Sequence, residues 1–350
     1  MELRERSTIE SDFLNGAEFE TIPCNLCGGS GFDVLAERDG IGLPIRTVMC
    51  RTCGLIFINP RLTKSWYEKY YEFMDGTRAS YKRGGENEKA SPLTGRPKGT
   101  LGVGFDAERA HGRAFAERLR PYIKPGLTID VGSAEGGILA GMKEAVPIEP
   151  VGIEPTVSRA EYATAHGIPT YVALIENISS VAPKLSKAAN IVCTKSLNHL
   201  LDPRYFFTWA YKTLDDDGRL LLEVKNFRQQ ARMSGRVYFG IQVDHPFMFT
   251  PETLRSFVEA AGFEVLFFDV DETKGKHERQ VQKQTGLPIG HARLAARKTE
   301  RSPFAETFQP KPGAVEKLRR EFSPAALYLT YLIRYATPMK NVLRRAGMAH

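Results

Sequence analysis

Nowhere in the 350 residues does an apolar run approach the ~20 positions that a bilayer-spanning helix needs. The first ten residues, Met1 to Glu10, are charged and lack the apolar stretch of a secretory signal. These two absences point to a cytosolic chain. Cysteine is scarce too, five residues in all, which argues against a disulfide-stapled scaffold. A hydrophobic share of 42% and a charged share of 25% leave material for a sizeable core, and the length suits one large domain with appendages. The net charge of +7 is uneven: residues 271–350 carry 16 Lys/Arg against 7 Asp/Glu, a net of +9, so the other 270 residues sum to −2. A basic end of this kind attracts phosphates on nucleic acid, anionic lipid or a phosphorylated substrate, or else is a solvated helical face.

Four of the five cysteines are paired. Cys24 and Cys27 form one C-x2-C and Cys50 and Cys53 another, each followed by glycine (Gly28-Gly29 and Gly54). Two such knuckles can place four thiolates tetrahedrally around Zn²⁺. With turn residues (Arg38-Asp39-Gly40, Gly42) and a short strand (Ile45 to Met49) between them, residues 20–62 read as a zinc ribbon. Four thiolates close the coordination shell, so the expected zinc is structural. Cys193 stands alone in an apolar strand and reads as buried and inert.

Residues 61–83 are expected to be helical and rich in aromatics (Trp66, Tyr67, Tyr70, Tyr71, Phe73, Tyr81), and 84–104 to form a Gly/Pro/Lys/Ser-rich linker. From 105 onward helix and strand patterns alternate. Helices are expected over 107–119, to about 144, over 157–166, 203–214 and 251–261, and strands over 127–131, 151–154, 170–172, 190–194, 219–225 and 263–270. That order predicts an α/β, Rossmann-like domain over 105–270 with helices on both faces of a parallel sheet. Residues 271–350 are read as a basic C-terminal extension with one apolar-aromatic helix (Pro324 to Tyr335) and a basic end (Lys340, Arg344, Arg345).

The turn after the first of these strands reads "DVGSAEGG", Asp130 to Gly137. Strand, glycine turn and helix make a cradle for a nucleotide-like ligand. The G-x-G-x-x-G spacing of a dinucleotide site is missing, and Glu135 stands where a pyrophosphate would sit. Like-charge repulsion therefore favours a phosphate-free ligand such as S-adenosylmethionine (SAM). Glu154, 24 residues after Asp130 at the end of the second strand, is placed to accept both ribose hydroxyls.

The stretches "LTIDVGSAEGGILA", "VGIEPT", "ANIVCTKSLNHLLDP" and "DDDGRLLLEVKN" resemble the successive motifs of class I SAM-dependent methyltransferases. "CNLCG…MCRTCGLIFINPR" resembles the zinc-binding module that precedes that domain in sugar-modifying members, and "QVDHPFMFTPETLRSFVEAAGF" the segment after the fifth strand. The likeness covers roughly residues 22–270. It implies SAM contacts at Asp130, Gly132, Ser133, Ala134, Gly136, Glu154, Glu176 (the adenine edge) and Ser196 (the amino acid portion). It implies catalytic work at His245, Asp244 and His199, with His245 the expected base. Three departures stand out. Ala134 replaces the turn's usual second glycine, Asn198 stands where a Glu is usual, and Asp244-His245 replaces a Glu-His pair with Gln242 in place of a Tyr. The last favours O- over C-methylation. Asp244, next to His245 in a segment read as extended, is expected to point to the opposite face.

The expectation is thus an enzyme methylating a sugar or glycan, lipid- or nucleotide-linked, in surface polysaccharide or natural-product assembly. Peripheral membrane contact through 324–350 is part of that reading. The alternatives are an RNA methyltransferase gripping nucleic acid with the ribbon and the basic tail, and a non-catalytic SAM-fold binding protein. Against RNA, residues 21–60 hold only Arg38, Arg46 and Arg51 as strong cations.

Overall fold

The structure, a computed structural model, describes residues 11–71, 102, 104–270 and 283–332. Five short strands lead the chain: β1 (Phe19–Glu20), β2 (Phe32–Ala36), β3 (Thr47–Cys50), β4 (Ile56–Ile58) and β5 (Arg61–Leu62). Residues 64–71 are helical. The α/β region follows: α1 (Phe105–Leu119), β6 (Gly126–Val131), α2 (Gly137–Ala145), β7 (Ile148–Glu154), α3 (Val157–Ala165), β8 (Thr170–Val172), β9 (Ala188–Thr194), α4 (Pro203–Thr213) and β10 (Leu214–Lys225). Next come α5 (Phe227–Ser234), β11 (Phe247–Met248), α6 (Pro251–Ala260), β12 (Phe263–Val270), β13 (His291–Lys298) and α7 (Ala314–Glu321).

The main sheet has seven strands in the order β8-β7-β6-β9-β10-β13-β12. β8 through β10 run parallel, and β13 is antiparallel to both of its neighbours. Central strands covered on both faces read as near-continuous apolar runs, as β9 (AANIVCT) does. Local chemistry starts the helices as expected. Asp202 caps α4 by accepting the Tyr205 N–H ahead of Pro203, and Thr250 and Thr253 form a reciprocal cap on α6 ahead of Pro251. Strand order reverses between β6 and β9, so a crevice opens at their carboxyl ends.

The C-terminal boundary drawn at residue 270 needs moving. β13 lies inside the sheet between β10 and β12. Its sequence, HARLAARK, reads as a solvated basic segment because two arginines and a lysine interrupt it. Yet Arg293 is only 2% exposed, since Glu223 on β10 receives its Nε–H at 2.5 Å. Residues 324–332 continue as helix; the remainder of the helix expected to Tyr335, with Lys340, Arg344 and Arg345, lies outside the described residues, as do Phe73, Tyr81 and most of the expected linker.

The cysteine module is built into this body. Its sheet runs β11-β4-β3-β2, so a strand from beyond the parallel strands completes it. One apolar core joins Cys24, Leu26, Val48 and Leu55 to Phe206, Phe247 and Phe249. From the far end of the chain, α7 packs Leu318 against Gly54 and joins Arg319 to Asp33 at 2.7 Å, while Phe322 stacks on Phe227.

α1 and α2 meet backbone to backbone through glycines. A Cβ on Gly141 would lie 1.9 Å from the Arg109 carbonyl oxygen, and one on Gly112 would lie 2.1 Å from that of Ile138. Gly141→Ala must therefore separate the helices, at a cost of about 3 kcal/mol. That corresponds to a fall of roughly 6–12 °C in thermal midpoint for a domain of this size. An unchanged midpoint by calorimetry would show that the helices part freely.

Candidate active site

Gly132, at φ +74°, leaves β6 in a left-handed turn, and a Cβ there would lie 2.5 Å from Ser196 Oγ. Only glycine satisfies both conditions. Its N–H and that of Ser133 donate to the Ile153 carbonyl at 2.8 and 3.1 Å, tying the turn to β7. Gly136 (φ +79°) starts α2. Ala134 also takes the left-handed region, at φ +48°, so the backbone keeps there the conformation that a second glycine would allow more cheaply. Ser133 is buried, and its Oγ has no hydrogen-bond partner among the described residues.

Glu154 is 5% exposed and gripped by two backbone donors. The Ala134 N–H donates to Oε2 at 2.9 Å and the Thr156 N–H to Oε1 at 3.0 Å. These bonds orient the carboxylate and leave each oxygen a lone pair for a ribose hydroxyl. Asp130, 1% exposed, keeps an Oδ1 without a partner. Burial first, then the charges of Glu154 and Glu108, push its pKa well above the carboxylate range. A cationic ligand beside it would restore the charged form. An amino acid ammonium is such a group, so the residues present fit SAM.

Two other expected contacts are engaged elsewhere. Ser196 Oγ donates towards the carbonyls of Gly132 (3.0 Å) and Thr194 (3.1 Å), so it braces the glycine turn. Glu176 accepts the Asp202 N–H at 3.2 Å, and burial raises its pKa.

His199 follows β9, and His245 lies in the loop before β11. Their rings meet edge to face with centroids 4.4 Å apart, and His199 Nδ1 lies 3.8 Å from Asp244 Oδ2. The expectation that Asp244 and His245 diverge is overturned. The segment is a turn, with the His245 N–H donating to the Gln242 carbonyl at 2.9 Å, and both side chains converge on His199. His245 is 4% exposed, whereas the His199 side chain keeps 32% of its surface accessible. Burial of the rest of the ring pushes the His199 pKa below its ordinary value, against the opposing charge of Asp244. The imidazole is therefore neutral at pH 7 and can accept a proton.

The aromatic helix and one lysine also border the cluster. Tyr71, at the end of helix 64–71, donates to the His199 carbonyl at 3.4 Å, and burial raises its pKa, with the charges of Asp244, Glu154 and Glu176 adding to the rise. Its hydroxyl thus meets the backbone of the histidine cluster. Tyr67 donates to the Val243 carbonyl at 3.2 Å, so the aromatic helix holds both halves of the cluster. Lys225, at the end of β10, has its pKa lowered by burial while Asp244 opposes the shift. Tyr70 is 1% exposed and packs edge to face on Phe13 and Tyr71.

The four cysteines converge. Cys24 and Cys53 sulfurs are 3.3 Å apart and Cys27 and Cys50 sulfurs 3.5 Å, and all four lie within 4.8 Å of one another. The Gly28 and Gly54 N–H groups close each knuckle onto the Cys24 and Cys50 carbonyls at 2.8 and 2.9 Å. Hydrogen bonds within the cluster push Cys27 down to about 7, with Cys24 the leading donor, while neighbouring thiols push Cys24 and Cys53 up.

Residues 106–266 match the family model of a methyltransferase domain. No curated relative matches the chain. Among solved structures it is similar to a SAM-dependent methyltransferase from Thermotoga maritima (18% identity, 56% of this chain and 93% of that one, TM-score 0.42). It is similar also to one from Archaeoglobus fulgidus (18%, 54% and 94%, 0.43) and to the plantazolicin methyltransferase BpumL solved with S-adenosylhomocysteine, SAH (13%, 56% and 86%, 0.42). Nothing about the acceptor carries over at such scores. The glycine turn and Glu154 thus lie within the residues, 106–266, that match a methyltransferase domain.

Proposed function

We propose that the protein transfers a methyl group from SAM to a hydroxyl of a sugar or glycan, free or linked to a nucleotide or lipid. The observation that carries this reading is the partly accessible His199 imidazole, met edge to face by His245 and faced by Asp244 at the carboxyl edge of the sheet. SAM supplies an already activated methyl. The protein's tasks are then to position the acceptor and to take its proton. His199 presents the accessible ring and receives the hydroxyl proton; His245 holds that ring in place from behind, and Asp244 offsets the charge that develops. Asp130, Gly132, Ser133, Ala134, Gly136 and Glu154 hold the cofactor.

The cysteine cluster is read as a structural Zn²⁺ site. Tetrahedral Zn–S bonds of about 2.3 Å imply S···S separations of about 3.8 Å, which the observed spacings approach. A ribbon that grips RNA is less well supported, because its three arginines already have protein partners. Arg38 lies over the Tyr238 ring, Arg46 donates to the Asn59 carbonyl and Arg51 pairs with Asp33. Among the described residues no helix is long and apolar enough to cross a membrane. Contact of the C-terminal segment with a membrane surface, helping to recruit a lipid-linked acceptor, remains part of this proposal.

The test is product analysis with methyl-labelled SAM and the full-length chain, offered nucleotide sugars, glycans and structured RNA. An O-methylated sugar is expected. A C-methylated product or labelled RNA would replace the reading, and SAM binding without turnover on any acceptor would favour a binding protein.

A further inference from the structure

We propose that Lys195 anchors the carboxylate of the methionine end of SAM, an inference that rests on the cofactor reading above. Lys195 takes the left-handed region, at φ +60°, a conformation that L side chains adopt only where the surroundings impose it. Here they do. Its N–H donates to the Glu223 carbonyl at 2.6 Å, and the next residue, Ser196, is bonded to the carbonyl of Gly132. The chain therefore bends sharply on leaving β9.

The Lys195 Nζ then lies 3.2 and 3.4 Å from the two carboxylate oxygens of Glu108. Glu108 in turn borders the cofactor turn: a Cβ on Gly137, the first residue of α2, would lie 2.7 Å from the Glu108 Cβ. The charge of Glu108 also reaches Asp130. The turn thus gathers three carboxylates, Asp130, Glu154 and Glu108, with Lys195 as a cation among them.

SAM's own charges match that distribution. Its ammonium suits the unpartnered Oδ1 of Asp130, and its ribose hydroxyls suit Glu154. Its carboxylate would be repelled at this turn unless a cation met it, and Lys195 is that cation. In the free protein Glu108 pairs with the lysine. Glu108 also lies 3.7 Å from His111 Nδ1, a second neighbour once the lysine is shared. Burial alone would lower the His111 pKa, but its hydrogen bonds to Glu108 and Glu223 raise it overall.

The rival account is a purely structural strap between α1 and the end of β9. Calorimetry with three probes separates the two: SAH, its decarboxylated analogue, which keeps the amine, and 5′-methylthioadenosine, which lacks the whole amino acid. In Lys195→Met, SAH affinity is expected to fall at least tenfold, while the other two probes change less than twofold. Lys195→Arg, which retains the cation, is expected to bind SAH within threefold of the native protein. Unchanged SAH affinity in Lys195→Met would overturn the proposal, and so would an equal loss for all three probes. A native protein that binds none of the probes would instead sink the SAM reading itself.

Discussion

Removing the proposed Zn²⁺ from the four-cysteine cluster is expected to abolish methyl transfer while SAH binding survives. The ribbon is tied to the edge that carries His245 through a paired strand. β4 pairs with β11, Phe57 stacks on Phe247 at 5.9 Å, and the Ile58 N–H donates to the Pro246 carbonyl at 2.9 Å. His245 and Asp244 immediately precede these contacts. A structural Zn²⁺ contributes apparent binding energy of about 10–16 kcal/mol to the fold it organises. That rivals the whole stability of an ordinary domain, about 5–15 kcal/mol. Without it, Cys24, Cys50 and Cys53 are buried thiols around an empty centre, and β2–β4 lose their pin. The loop holding His245 loosens with them. The glycine turn and Glu154 depend on β6 and β7, which lie across the sheet, so the cofactor site is expected to persist. Chelation followed by parallel SAH calorimetry, turnover assay and zinc quantification checks this. Full turnover in metal-free protein would sink the idea. Simultaneous loss of SAH binding would show the ribbon to be part of the cofactor pocket.

His199→Ala is expected to lower kcat by about 10²–10⁴, the range of general-base catalysis, with SAH affinity nearly unchanged. His245→Ala should reduce kcat as well, by loosening the ring behind His199. The pH profile gives a sharper test. Burial holds the His199 pKa below its ordinary value of 6.5. The free base therefore dominates at and above neutrality, and kcat should be flat there. It should fall only as acid protonates the ring, at a pH below 6.5. The Asp244 charge opposes the burial effect, so Asp244→Asn should move that acid limb to still lower pH. A limb that moves up, or an enzyme indifferent to losing His199, would remove this histidine from the proton transfer.

The parts of this site that could be read from the sequence are those held by neighbours along the chain. The "DVGSAEGG" turn and Glu154 are local to two successive β-α units, and the Cys-x2-Cys knuckles are each a single turn. The helix starts at Asp202-Pro203 and Thr250-Pro251 are likewise set by side chains three residues apart. The turn at Asp244 and His245 is not legible in the sequence, because an extended and a turned backbone differ only in local dihedral angles, and "VDHPF" is compatible with both. β13 was missed because a buried arginine is recognisable only once its partner is known, and Glu223 lies 70 residues away in the chain. Lys195 carries no mark in the one-letter sequence, since its left-handed conformation is imposed by Glu223 and by the turn at Gly132.

By itself, then, the order of residues determined the α/β alternation, the glycine turn after β6, the place of Glu154 at the end of β7 and the four-cysteine cluster, because each depends on short-range spacing and chemistry. Tertiary structure alone decided that the ribbon borrows a strand from the α/β region, that Tyr71 donates to the His199 carbonyl, and that His199, Asp244 and His245 form one cluster. The physical reason is the same in each case. These features pair groups separated by tens to hundreds of residues, and only the packed sheet and its shared apolar core bring them within a few ångströms.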